Sequence, residues 1–377
     1  MGGKKEKKLS NNKKDIFQKK DLFNKFPLIG IILLLVVGGI IFGYSYFDPT
    51  NFNLISSPDK SNLLGDWRDI HGIGLFNTAD STHKDKDDDG NNINSLYLAT
   101  DNGLYSKEHN STWVQVGSDK SEITGFVINP KKDGVMYSSG YSSTGGNLGF
   151  RMSTDSGNTW TTISPVTGKS SKTVSLFTGI NPIAFNSIAI SSVNTEILYG
   201  TSGDGNILYI TNDEGKTWSA KDTIPPKIKI KSIAVHPSDL NNVFIGTNSG
   251  IFSSNDKGNN WTKIKSELIG NSIVTGLGFN QNNELFAYII PNPKDGSNIN
   301  QNGYIIKSDE TVKNWTKTDG QIPNAKTAWK FTLGHNGEIY TIVSQQLSDN
   351  DIASSIYKSI DNGSSWILEG TNKESIL

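Results

Sequence analysis

The chain has 377 residues, 34% of them hydrophobic, enough for one large all-β domain or two ordinary ones. Nine Lys against three acids place +6 in residues 1–25, so the near-zero total hides −7 on the remainder; a mildly acidic body argues against nucleic acid, which needs a basic face. The lack of any cysteine excludes disulfides, a lipidated cysteine and thiolate metal sites.

Residues 1–25 form a basic tail; Glu6 stands where a myristoylation signal requires Ser or Thr. "FPLIGIILLLVVGGIIFGYSYF" (26–47) follows without a charge, and about 20 apolar residues suffice to cross a bilayer. The lysines before it should stay cytoplasmic, which predicts a single-pass anchor with residues 48–377 outside the cell. The alternative, a cleaved signal peptide, has a shorter apolar core and a small-x-small site, neither of which fits here. Polar residues 48–66 read as a tether.

From residue 67 to 371 the same set of short β-branched and aromatic runs recurs. One unit reads "KSIAVHP", "NVFIGTN", "GIFSSND", "WTKI"; another reads "NSIAISS", "EILYGTS", "NILYITND", "WSAK". Six such units end in Trp113, Trp160, Trp218, Trp261, Trp315 and Trp366. Four strands repeating every ~40–50 residues predict an all-β, six-bladed β-propeller of four-stranded antiparallel blades. The alternatives are a β-solenoid, or a seventh blade drawing on residues 48–68.

Before the fourth strand, four units carry an octet: "STDSGNTW" (153–160), "TNDEGKTW" (211–218), "SNDKGNNW" (254–261) and "SIDNGSSW" (359–366). Gly157, Gly215, Gly258 and Gly363 supply the positive φ of a tight turn. Asp155, Asp213, Asp256 and Asp361 satisfy its backbone donors, and Trp160, Trp218, Trp261 and Trp366 close the hairpin. Unit one has lost the Asp-Gly turn, and unit five ("ETVKNW") lacks the Gly. These octets resemble the Asp-box, or BNR repeat, of sialidase-like propellers. "IHGIGLF", "LYLATDNGLY" and "FNSIAISS" further resemble membrane-anchored, glycosyl hydrolase-like propellers of bacteria and archaea. That group has histidines near the positions of Asp101, Tyr141 and Phe185; here only His71 remains of such a cluster.

Sialidases grip the substrate carboxylate with three arginines, for whose planar fork Lys is no substitute. This chain has two, Arg68 and Arg151, so sialidase activity is excluded. Another glycosidase needs two suitably spaced carboxylates. Acids expected on the face opposite the octets are Asp101, Asp119, Glu122, Asp204, Asp222, Asp319, Asp349 and Asp351, of which Asp101, Glu122 and Asp204, with His71, are the catalytic candidates. Four stretches read as long loops on that face: 138–147, 164–185, 291–302 and 345–355. Tyr141, Phe177 and Trp329 are aromatic binding candidates that suit the core equally well. "DKDDDGNN" places Asp85, Asp87 and Asp89 before Gly90 like the start of a calcium loop, with Leu96 where a bidentate Glu belongs; this suggests a weak, structural calcium site. Asn110, Asn260, Asn314 and Asn362 head N-x-[ST] triplets. The reading is a membrane-anchored scaffold that binds a glycan or an extracytoplasmic protein. Its rivals are a glycoside hydrolase and an assembly factor for a membrane protein complex.

Overall fold

Runs of β-branched and aromatic residues alternate with Gly, Asn and Asp turns, and each run becomes a strand. The computed structural model describes residues 70–77, 94–108, 113–163, 173–174, 177–178, 181–182, 184–221, 223–292, 303–333, 337–348 and 351–371. Blade one comprises β1 (Ile70–Asn77), β2 (Asn94–Thr100), β3 (Gly103–Lys107) and β4 (Val114–Val116). Blade two comprises β5 (Glu122–Ile128), β6 (Met136–Tyr141), β7 (Asn147–Ser153) and β8 (Thr161–Thr162). Three short strands follow: β9 (Thr173–Val174), β10 (Phe177–Thr178) and β11 (Asn181–Pro182). Blade three is β12 (Phe185–Ile190), β13 (Leu198–Ser202), β14 (Leu208–Thr211) and β15 (Trp218–Lys221). Blade four is β16 (Ile230–Val235), β17 (Val243–Thr247), β18 (Gly250–Ser254) and β19 (Thr262–Lys263). Blade five is β20 (Ile273–Phe279), β21 (Leu285–Ile290), β22 (Tyr304–Ser308) and β23 (Trp315–Lys317). Blade six is β24 (Ala325–Leu333), β25 (Ile339–Ser348), β26 (Asp351–Ser359) and β27 (Ile367–Thr371).

Each blade is an antiparallel meander in sequence order, and the innermost strands β1, β5, β12, β16, β20 and β24 pack side by side until β24 meets β1 again. The fold is a six-bladed propeller. Its core lies between blades. Tyr97, Ala99 and Leu104 of blade one pack on Ile123, Phe126 and Met136 of blade two. At the closing seam Ile70, Ile73 and Leu98 pack on Tyr340, Ile342 and Ile356. Burying each such side chain contributes roughly 1.5–3 kcal/mol, which a single blade with two bare faces could not realise.

Three of the four expected long loops contain more strand than the sequence suggested; in 138–147, residues Ser138–Tyr141 and Asn147 belong to the β6–β7 ladder. In 345–355, β25 and β26 extend into a long hairpin with Gln345 opposite Ala353 and Ser348 opposite Asp351, so most of this stretch is ladder. In 164–185, β9 pairs with the outer edge of blade three, Val174 opposite Trp218, and β10 pairs with β11. β9 covers backbone groups that an edge strand would otherwise leave bare.

The tail 1–25, the anchor 26–47, the tether 48–66, Asp85, Asp87, Asp89, Asn110, Asp222 and Asp349 lie outside the described residues. Among the described residues no helix is long and apolar enough to cross a membrane, and no group of three or more His, Cys, Asp or Glu could hold a metal ion.

Candidate functional site

The octets build the outer rim. Ser153 Oγ accepts Gly157 N–H at 2.8 Å and donates to Asp155 Oδ1 at 2.7 Å; Asp155 Oδ1 in turn accepts Thr159 N–H at 2.9 Å. Thr211/Asp213, Ser254/Asp256 and Ser359/Asp361 repeat the arrangement. These acids are fully engaged in their own turns. Each octet glycine also faces the preceding blade: a Cβ on Gly157 or Gly215 would run into Leu104 or Phe150, and one on Gly363 would sit 2.8 Å from Phe286. Asn260 and Asn314 donate their side-chain amides to Asp256 and Asp309 within their own turns, and Asn362 donates to Glu284 of blade five, so a glycan on any of the three would crowd a bond already made.

The inner strands build a different feature. Every one carries a β-bulge near its start: the register shifts between Ile70 and Gly72, Ile123 and Gly125, Phe185 and Ser187, Ile230 and Ser232, Val274 and Gly276, and Ala325 and Thr327. The extra residues are His71, Thr124, Asn186, Lys231, Thr275 and Lys326. A bulge re-aims its side chain out of the ladder, so six polar residues occur at one level of the channel, at the end where the inner strands enter. The sequence signal is a tetrapeptide: I-H-G-I, I-T-G-F, F-N-S-I, I-K-S-I, V-T-G-L and A-K-T-A. Its two apolar members are buried in every blade. Its small third residue leaves room for the next blade, since a Cβ on Gly276 would sit 2.8 Å from Ala328 O.

Hydrogen bonds tie this ring together. Thr124 Oγ1 donates to Phe185 O at 2.7 Å and Thr275 Oγ1 to Ala328 O at 2.6 Å, each reaching the next blade. Asn186 Nδ2 donates to Gly203 O at 2.6 Å. Burial, followed by the charge of Lys229, pulls the Lys231 ammonium down to about 8. Deeper in the channel, Lys330 of β24 reaches past blade one to donate to Phe126 O of β5 at 3.1 Å, and burial brings it down to about 8.

Three of the sequence candidates meet here. His71 Nε2 lies 3.7 Å from Glu122 Oε1, and Glu122 is opposite Tyr141 across the β5–β6 ladder. Burial first, and the Glu122 charge second, raise the Tyr141 phenol. Asp204, in the β13–β14 turn, accepts Ser202 Oγ at 2.6 Å and Asn206 N–H at 3.1 Å. Burial works to raise its carboxyl, but these bonds and Lys229 outweigh it and hold it low. Asp119 is likewise lowered: burial opposes, and Ser121 with Arg151 prevails, the Arg151 Nη1–Asp119 ion pair joining the blade one–two link to β7. Asp101 lies in the β2–β3 turn and Asp351 opens β26. Asp319 stands apart from the channel mouth, next to Gly320, whose N–H donates to Gly363 O in the blade-six octet. Phe177 is in β10, opposite Pro182. Trp329 is a second bulge residue of β24, between Ala328 and Lys330. The bulge ring and Lys330 were not anticipated from the sequence.

Parts of the chain are similar to known proteins. The family model described as "Sortilin, neurotensin receptor 3" matches residues 206–361, less than half of the chain. A xyloglucanase of Hypocrea jecorina is 24% identical over 113 residues, 30% of this chain and 13% of that protein. A vacuolar protein sorting/targeting protein 10 of Laccaria bicolor is 30% identical over 116 residues, 30% of this chain and 8% of that protein. This chain thus spans only a small part of either relative. Among solved structures, the GH74 xyloglucanase of Xanthomonas campestris superposes with a TM-score of 0.53 at 13% identity, covering 82% of this chain and 46% of that one. At that identity the likeness is one of fold.

Proposed function

We propose that the chain is an Asp-box propeller tethered to a membrane by residues 26–47, with the propeller outside the cell, where it binds a glycan at the channel mouth. The observation that carries this reading is the six-membered bulge ring, a polar ring of His, Thr, Asn and Lys set into a strand framework that is otherwise buried and apolar. Thr124, half-buried, spends its hydroxyl proton on a strand carbonyl, which leaves oxygen lone pairs to accept a hydroxyl donor from a sugar, whereas Thr275 is buried and ties blade five to blade six. A test is a glycan array probed with the full-length chain and scored for retained protein and for released sugar. Retention without release is the expected result; no retention of any glycan would sink the reading.

A hydrolase is the second reading, favoured by the match to a xyloglucanase. Against it, a glycosidase acid needs a raised carboxyl, whereas Asp119 and Asp204 are both lowered and Glu122 faces His71. Sugar released from the array would decide for the hydrolase.

A further inference from the structure

We propose that the channel mouth is selective for an anionic sugar end, a carboxylate or sulfate ester, drawn by Lys231 and Lys326 of the bulge ring and Lys330 below them. The inference rests on the glycan-binding reading and adds the charge of the ligand.

Three observations carry it. First, Lys231 and Lys326 occupy equivalent bulge positions in blades four and six; of the carboxylates near the ring, Glu122 faces His71 and Asp204 is held by Ser202 and Asn206 and answered by the charge of Lys229. Second, Lys330 lies four residues beyond Lys326, and with Trp329 bulged out of the ladder that is ~10 Å along the strand. Its Nζ donates to a backbone carbonyl, and among the described residues no carboxylate lies within ion-pair distance of it. A largely desolvated ammonium with only a carbonyl acceptor favours a counter-anion. Third, the Lys330 side chain spans from β24 past β1 to β5, and so crosses between inner strands of the ring. An anion entering at the bulge-ring end meets Lys231 and Lys326 first and Lys330 beyond them, an order suited to the end of a chain. Lysines are point charges without a planar fork, so carboxylate and sulfate are both admitted.

The experiment is titration calorimetry of the full-length chain with tri-galacturonic acid, its methyl ester, a sulfated disaccharide, a neutral xyloglucan oligosaccharide and a hexapeptide ending in a free carboxylate. The ester keeps the shape of the acid and removes its charge. We expect the acid to bind at least tenfold more tightly than the ester, and the difference to shrink in high salt. Lys330→Met should remove most of it without moving the melting temperature, whereas Lys216→Met, in the exposed rim of the blade-three octet, should leave it intact. Lys326→Met and the salt series provide the same test should Lys330→Met fail to fold. The sulfated disaccharide shows whether sulfate substitutes for carboxylate. Equal binding of acid and ester, or a difference that survives both lysine variants, overturns the inference. Binding of the neutral oligosaccharide alone, indifferent to these variants, overturns it while the glycan-binding reading stands. Binding of the peptide alone, or of no ligand, overturns both.

Discussion

At the scale of single residues, the octet shows how one carboxylate at the surface organises a turn. Asp256 accepts from the side chain and backbone of Asn260 and from Ser254, and these bonds hold its carboxyl down at about 2, against an ordinary 3.8. A folded-state value below the unfolded one means that the contribution is complete above about pH 4 and is lost as pH falls towards about 2. Asp256→Asn is therefore expected to lower the melting temperature at neutral pH and to flatten its fall between about pH 4 and pH 2, read by thermal scans across pH. A second residue-scale requirement escaped the sequence reading. The residue before each octet glycine also has positive φ: Ser156, Glu214, Lys257 and Asn362 lie at 58°, 58°, 59° and 58°. Asn tolerates that region better than Lys, and blade six already has it. Lys257→Asn should stabilise the protein by about 0.5–1 kcal/mol, measured as a rise in the urea midpoint. In blade five, Val312 takes the positive φ, 56°, and packs its side chain against the blade four–five core, which offsets its strain.

At the scale of elements, strand existence and order were legible because the alternation of apolar runs with Gly, Asn and Asp turns is local. "WSAK" is β15, and "GIFSSND" contains β18. What was not legible is non-local. β9 is a strand only because the edge at Trp218 is there to receive it, and the blade-six hairpin lengthens because its two arms pair with each other. The inner-strand tetrapeptide was in plain view, but its meaning depends on a register shift that only the paired strand reveals. Lys330 gave no signal at all, since its acceptor is 204 residues away. The octets add a role beyond the turn: their glycines let each rim turn lie against the blade before it. Phe150 shows the consequence. It is fully buried, its ring centroid is 5.0 Å from that of Trp218 and 5.5 Å from that of Tyr137, and Gly215 of the blade-three octet rests on it. Phe150→Ala should cost about 3–5 kcal/mol in urea unfolding and loosen blades two and three together.

At the scale of the whole molecule, among the described residues every blade is drawn from one contiguous stretch and no strand of blade six pairs with blade one, so the ring closes there by side chains. Blade one has also lost its octet, and the seam is fastened differently. Glu369 lies 3.1 Å from Lys107 and 3.8 Å from Lys358, Lys107 sits over the Trp113 ring at 5.8 Å, and Trp113 lies against Gly370. One carboxylate thus separates two partly buried ammonium groups. Glu369→Gln should leave them facing each other and cost about 1–2 kcal/mol, more than an exposed pair, with a loss that shrinks in high salt; denaturant melts at two ionic strengths would measure it.

That seam has a mechanical meaning. The other five blade junctions are bridged by the polypeptide itself, so a pull along the chain is shared by covalent bonds. The junction between blades six and one is not, and a load applied between residues 70 and 371 falls directly on it. The ring should then behave as a clasp that springs open at low force, with all six blades still folded, before any single blade unravels.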